Sequence, residues 1–284
     1  MAHHHHHHVG TGSNDDDDKS PDPMLLSRKI RDYGAKYRGK EIKMSTEINS
    51  FLNLRNTIEM RIGSYTAFGV IYSISMDSLK LIFQEDTVLP ALAKNKNLGS
   101  IQLKKNSDSK SSAAFFPFLS VKLLSASAYS SLNKEYNLLT LEFLSPAPEE
   151  IAIKVGKLLD LKLGQNQRIH ERIIIDKDSI RKLKIDSDKA FIKFNGAKHK
   201  CLIKDLSYGG ALVISSFDYG DVEEDAIDLI FSFEFIDGEI FIEGKSKSLS
   251  VIQTPSGKVF ALGIAFDEDK IPLEYTMLIH DYFN

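Results

Sequence analysis

Cysteine, histidine and long apolar runs are what this sequence has least of, and each scarcity closes off a class of function. Cys201 is the single cysteine, so no intramolecular disulfide framework can hold the fold. Its place in the strand-like run Cys201-Leu202-Ile203 suits a small buried hydrophobe. Outside the six consecutive histidines of an N-terminal purification tag, only His170, His199 and His280 occur. They are far apart, and no His-x-x-x-His or Cys-x-x-Cys spacing indicates a metal site. Glycine-rich phosphate loops of the Walker or dinucleotide type are absent, and nothing pairs the plentiful carboxylates, so no turnover is expected. No run approaches the ~20 apolar residues of a membrane span, and no apolar h-region follows Met24. The expectation is a cytoplasmic monomer with no membrane span, no cofactor and no metal.

Charge of one sign is missing too. Residues 1–23 are the tag, with an enterokinase-like site at Asp15-Asp16-Asp17-Asp18-Lys19. The whole sequence holds 36 Lys and Arg against 39 Asp and Glu. Lys19 and five of the aspartates belong to the tag, so from Met24 onward the charges nearly cancel. No global field argues for nucleic acid or membrane. Locally, Met24–Met44 is basic, with Tyr33 and Tyr37 one helical turn apart among its cations. It is either a solvated basic helix or tail, or a contact for nucleic acid or an acidic partner, because aromatic faces between cations are what unpaired bases stack on.

What is present is β-patterned. Apolar runs at 57–62, 67–74, 79–83, 99–104, 118–124 and 138–143 alternate with polar punctuation and predict an antiparallel barrel or sandwich. Lys105–Ser112 reads as a loop of low hydrophobicity. Phe115, Phe116 and Phe118 after it are either core or a docking surface. Glu149–Leu163 is the clearest helix: Pro148 at its start, Glu149 and Glu150 in the first turn, Ile151, Val155, Leu158 and Leu159 on one face, Gly164 as its stop. Strands are then expected at 190–194, 200–204, 211–215, 227–235, 240–253 and 259–266, and a closing amphipathic helix over Pro272–Phe283 with Leu273, Met277 and Ile279 or His280 on its packed side. Val70–Leu79 matches Cys201–Ala211 in pattern, with Ser73, Ser75 and Ser78 standing where Asp205, Ser207 and Gly210 stand. Leu139–Phe143 likewise parallels Leu262–Phe266, and Pro148 and Pro272 follow. These echoes predict a repeated unit, a barrel plus a C-terminal helix.

Two stretches of the second half carry chemistry that the first lacks. Gln165-Asn166-Gln167-Arg168-Ile169-His170-Glu171-Arg172 brings two arginines four positions apart into the connector behind the helix. A guanidinium stays charged, donates paired hydrogen bonds to phosphate and stacks on aromatic rings. Later, Asp205-Leu206-Ser207-Tyr208-Gly209-Gly210 places an acceptor, a hydroxyl and two glycines where one strand ends and another begins. Together the stretches resemble the bipartite signature of the PilZ family, Arg-x-x-x-Arg followed by Asp/Asn-x-Ser-x-x-Gly, filled here by Arg168, Arg172, Asp205, Ser207 and Gly210. The later Leu262-Gly263-Ile264-Ala265-Phe266 is similar to a further family feature.

The resemblance implies a six-stranded barrel with an appended helix and a cyclic di-GMP ligand. Arg168 and Arg172 are expected on its phosphates and guanine faces, Asp205 and Ser207 on a guanine edge, and Gly210 as a point of conformational freedom or close approach, with Gly209 as an alternative. Gln165, Asn166, Gln167 and His170 are expected as additional contacts. The resulting organisation is a mainly β chain of two barrels: a PilZ-like first domain at 24–164 that lacks the signature, a ligand-binding linker at 165–172, and a PilZ domain at 173–284. The expected function is a cyclic di-GMP receptor in which the ligand orders the linker and reorients the domains toward a downstream protein or nucleic acid. The alternative is a nucleic-acid-binding or protein-docking adaptor modulated by the dinucleotide.

Overall fold

A computed structural model of the chain describes residues 22–106, 115–220 and 226–284. The tag up to Pro21 and most of the polar loop expected over Lys105–Ser112 lie outside them. The first half runs α1 (Pro23–Lys36), β1 (Glu41–Lys43), α2 (Thr46–Leu52), β2 (Thr57–Ile62), β3 (Tyr65–Ser75), β4 (Ser78–Phe83), α3 (Val88–Lys94), β5 (Leu98–Gln102), β6 (Leu119–Ser131) and β7 (Lys134–Phe143). Helix α4 (Glu149–Gln167) then leads into β8 (Ile173–Ile174), α5 (Lys177–Leu183), β9 (Ile185–Phe194), β10 (Ala197–Lys200), β11 (Leu202–Ser207), β12 (Gly210–Ser215), β13 (Asp228–Phe235), β14 (Gly238–Thr254), β15 (Gly257–Phe266) and α6 (Leu273–Phe283).

Strands whose residues alternate between buried and accessible, as along β2 and β4, must curl around a common core to hide one face. In the first half β3, β2, β5, β6, β7 and β4 pair in that order and β4 returns to β3, closing a six-stranded barrel with β1 laid beside β3. The second half repeats the order as β9, β13, β14, β15, β12 and β11, with β8 beside β11 and β10 beside β9. Where the two ends of that order meet, the Cys201 N–H donates to the Ala190 carbonyl at 3.0 Å. Each barrel has its own core. Met60, Leu81, Phe83 and Leu141 belong to one, and Ile192, Phe231, Phe233 and Leu262 to the other.

The repetition extends to register. Tyr37 and Arg168 cap the C-termini of α1 and α4. Glu41 and Arg172 follow at the same spacing, ahead of Ile42 and Ile173, which pair with Ile74 and Leu206. Ser45 and Asp176 then N-cap the short helices α2 and α5, which end on left-handed Asn53 (φ 53°) and Lys184 (φ 57°). Both signature hairpins contain a bulge, between Ile71 and Ser73 and between Ile203 and Asp205.

Several elements depart from expectation. The short helices α2, α3 and α5 fall where strands or connections were expected. Helix α4 does not stop at Gly164 but continues through Gln167, and Arg168 closes it by donating its N–H to the Gly164 carbonyl at 3.0 Å. Gly164 serves close approach instead, since a Cβ there would lie 2.7 Å from the His280 ring. On α6 the buried residues are Tyr275, Thr276 and Ile279, whereas Leu273 and Met277 pack partly against the first core. On α4, Ile151, Val155, Leu158 and Leu159 are buried in the first core as expected, each contributing about 1.5–3 kcal/mol of transfer free energy. No helix among the described residues is long and apolar enough to cross a membrane.

Candidate functional site

The bulge in β11 decides which way its polar residues point. Ile203 pairs with Val213 on the core side, and the inserted Lys204 shifts the register so that Asp205 pairs with Leu212 and Leu206 with Ala211. Leu206 and Ala211 are buried in the core, so Asp205 and Ser207 lie on the opposite face although they stand two and four residues after Ile203. They are buried nonetheless, at 7% and 6% exposure, because other elements cover them.

Strand β8 is one such cover. Ile174 pairs with Asp205 and Ile173 with Leu206, which brings the preceding Arg172 over the hairpin. Its Nη1 donates to Asp205 Oδ1 at 2.7 Å, with the arginine side chain 51% exposed and the carboxylate 10%. The carboxylate is largely buried while the arginine is half in solvent, so screening discounts the pair. It aligns both groups without locking them. Ser207 Oγ donates to the Gly210 carbonyl at 3.3 Å. The Ser207 carbonyl accepts from Tyr275 Oη at 2.5 Å, which ties the hairpin to α6. Burial, with the Asp205 charge adding to it, holds the Tyr275 phenol well above the usual range, so it remains a donor.

Arg168 approaches the same hairpin from the end of α4. Its Nη1 donates to Glu171 Oε2 at 3.0 Å with its side chain 37% exposed, and its guanidinium carbon lies 5.0 Å from the centre of the Phe283 ring on α6. Phe283 in turn stacks on Tyr208, centroids 6.3 Å apart, and Tyr208 is the turn residue directly after Ser207. The Tyr208 hydroxyl is buried with no hydrogen-bond partner among the described residues. Burial pushes its pKa up, against the opposing charge of Arg168.

Arg172, Asp205, Ser207 and Gly210 are therefore brought together at the hairpin by β8, and Arg168 reaches its turn residue Tyr208 by way of Phe283. The amides are not brought there. Gln165 lines a cavity of about 250 Å³ with Ser45, Glu47 and Ile271, and Asn166 lines another with Tyr37 and Lys40. Gln167 and His170 are exposed. Gly209 has open space around it, while a Cβ on Gly210 would stand 2.4 Å from the Ile264 carbonyl oxygen. Sequence reasoning missed Phe283, Tyr208, Tyr275 and Glu171. Only Tyr208 and Glu171, inside the two motif stretches, carried any signal.

At the equivalent place in the first barrel the charge is inverted. Glu41 occupies the Arg172 position, and its carboxylate accepts from Ser73 Oγ at 2.9 Å and pairs with Lys80 at 3.0 Å. Burial works against that carboxylate, but the bonds from Lys80 and Ser73 outweigh it and keep its pKa below the ordinary value. Tyr37, at the Arg168 position, is buried and hydrogen-bonds Asp160. Tyr33 is buried as well, which removes both tyrosines as an exposed stacking platform on the basic first helix. Of the later aromatics, Phe116 is buried and Phe115 exposed. The Lys104 ammonium lies 5.9 Å from the Phe115 ring and 5.7 Å from exposed Phe68. Among the described residues no group of three or more His, Cys, Asp or Glu is placed to hold a metal ion.

Comparison with known proteins gives this geometry a family. Residues 28–162 match the PilZN3 domain. A Treponema denticola protein described as a cyclic di-GMP binding protein is 24% identical over 262 residues, spanning 91% of this chain and 82% of its own. The Borreliella burgdorferi PlzA protein, whose crystal structure is in complex with c-di-GMP, is 92% identical, with 92% of this chain and 100% of that chain covered and a TM-score of 0.49. The chain is thus a PlzA-like member of the PilZ family, with a PilZN3 domain preceding the barrel that carries the signature.

Proposed function

We propose that this protein is a cyclic di-GMP receptor whose site is formed by Arg168, Arg172, Asp205 and Ser207. The observation that carries the reading is the β8–β11 pairing. It holds a half-exposed Arg172 over Asp205 and Ser207 while α4 delivers Arg168 to the same hairpin, in a chain 92% identical to a protein crystallised with that dinucleotide. The chemistry is complementary. Two guanidinium edges match phosphate oxygens, and their faces match guanine rings. A carboxylate accepts from the N–H groups of a guanine edge. The Arg172 side chain is half exposed, so its guanidinium can turn to a phosphate while Asp205 takes the N–H groups of the base as its new partners.

The finer part of the reading is mechanical. Because α4 runs through Gln167 and β8 begins at Ile173, the joint between the barrels is short, with Ile169, His170 and Glu171 between the two arginines. A ligand that engages both arginines restricts that joint and fixes how the barrels stand to one another. It can do so only to the extent that it binds one arrangement better. The chain acts by binding, and the dinucleotide is expected to be recovered unchanged.

Calorimetric titration of the parent with cyclic di-GMP, cyclic di-AMP and GMP tests the reading, alongside Arg168→Ala and Arg172→Asp. Binding should be strongest for cyclic di-GMP and at least about tenfold weaker in either variant, since a charge-assisted bond contributes ~1.5–3 kcal/mol. No heat and no melting shift with the parent would remove the reading.

A further inference from the structure

Helix α6 meets the site at two points that nothing in the signature anticipates. Near its start the Tyr275 hydroxyl holds the Ser207 carbonyl. At its end the Phe283 ring lies between Arg168 and Tyr208, 5.0 Å from the guanidinium carbon and 6.3 Å from the tyrosine ring centre. The helix has little freedom to shift. Tyr275 and Ile279 are fully buried, and His280 sits against Gly164 of α4, where a Cβ would lie 2.7 Å from the imidazole. Phe283 is thus a partly buried ring at the end of a packed helix, beside one of the two arginines.

We infer that Phe283 is a positioning residue for Arg168, and that α6 is in this way a structural part of the dinucleotide site. The inference rests on the receptor reading above. A cation–π contact is made to the π face of the ring and takes up no N–H donor, whereas bonds to a phosphate need those donors. Phe283 can therefore hold Arg168 without consuming the N–H groups a phosphate needs. An arginine at a helix end otherwise samples many rotamers, and binding must then order it. Glu171, the other group on Arg168, is half exposed and occupies the edge, so it is the contact the ligand replaces, while the ring is the contact that persists.

The test is a double-mutant cycle in the full chain, read by calorimetry with cyclic di-GMP. Phe283→Leu keeps an apolar side chain but removes the π face, and affinity should fall about three- to tenfold. Phe283→Trp, which restores a face, should bind close to the parent. In an Arg168→Ala background the leucine change should have no further effect, because the arginine through which Phe283 acts is gone. A helix-packing role alone would weaken binding equally in both backgrounds, and that outcome, or parental affinity for Phe283→Leu, overturns the inference. Melting curves identify a variant that fails to fold, in which case the tryptophan variant and the cycle built on Phe283→Met decide. Failure of the parent to bind sinks the receptor reading itself, whereas parental binding with an unaffected leucine variant sinks only the role of Phe283.

Discussion

At the scale of single residues, Gly210 and Gly209 separate packing from backbone freedom. Neither has a left-handed φ, yet a Cβ on Gly210 would press to 2.4 Å from the Ile264 carbonyl oxygen while Gly209 faces nothing within 4 Å. The obstacle at Gly210 is backbone in the neighbouring β15, which cannot swing aside like a side chain. Gly210→Ala is therefore expected to lower unfolding stability by about 1–3 kcal/mol, and Gly209→Ala to stay within about ±0.5 kcal/mol, as read from urea midpoints. Equal effects would show that strand separation does not set the requirement. The kinds of residue at the site were readable from the chain because side-chain chemistry is local: an arginine pair, an acid, a hydroxyl and a glycine announce themselves. Phe283 was not readable, since its relation to Arg168 is created by a helix that folds back from the far end of the domain. Nor was Glu41, whose opposition to the Arg172 position emerges only when the two barrels are compared pair by pair.

Among the elements, α4 makes the closest contacts. Its Gly156 lies against Tyr33 of α1, where an added Cβ would meet the ring at 2.1 Å. Between α4 and α6 the small residue is again on α4, Gly164 against His280. Alanine normally favours a helix over glycine by about 1 kcal/mol, so the sign of a substitution shows which effect dominates. Gly156→Ala should destabilise by about 1–3 kcal/mol through overpacking, and the penalty should shrink when Tyr33→Ala is already present. Chemical denaturation of the four proteins checks it, and a stabilised Gly156→Ala would mean the helices separate without cost. Most strand positions were recoverable from apolar runs and alternation, because a half-buried strand must repeat every two residues, but the short β1 and β10 were not. The seven-residue helices α2, α3 and α5 escaped detection since two turns offer too few periods to distinguish from a strand or a loop. Gly164 misled about the end of α4 because a glycine that lets helices touch looks the same in sequence as one that ends a helix.

For the molecule as a whole, the joint at Ile169–Glu171 connects two barrels of one topology. If occupancy restricts it, small-angle scattering should show a changed distance distribution when cyclic di-GMP is added to the parent, and no change with Arg168→Ala. Superimposable profiles for the parent with ligand bound would reject the mechanical part of the proposal and leave binding untouched. Strand order was beyond the sequence, since alternation states which face is buried but not which strand lies next to which, whereas the six-stranded barrel was implied by the family resemblance. The repeat was visible only in the hairpin and the last strand, where pattern as well as structure has been kept.

The position of α4 also governs how the protein can be divided. Its apolar face seals the first barrel through Ile151, Val155 and Leu158, and its last turn carries Arg168 to the second, so it is one wall common to two rooms. A cut after Gln167 deprives the second fragment of the arginine's support, and a cut before Glu149 leaves the first core open to water. Fragments meant to stand alone must each be given their own copy of residues 149–167, and even then only the second inherits a use for the helix's far end.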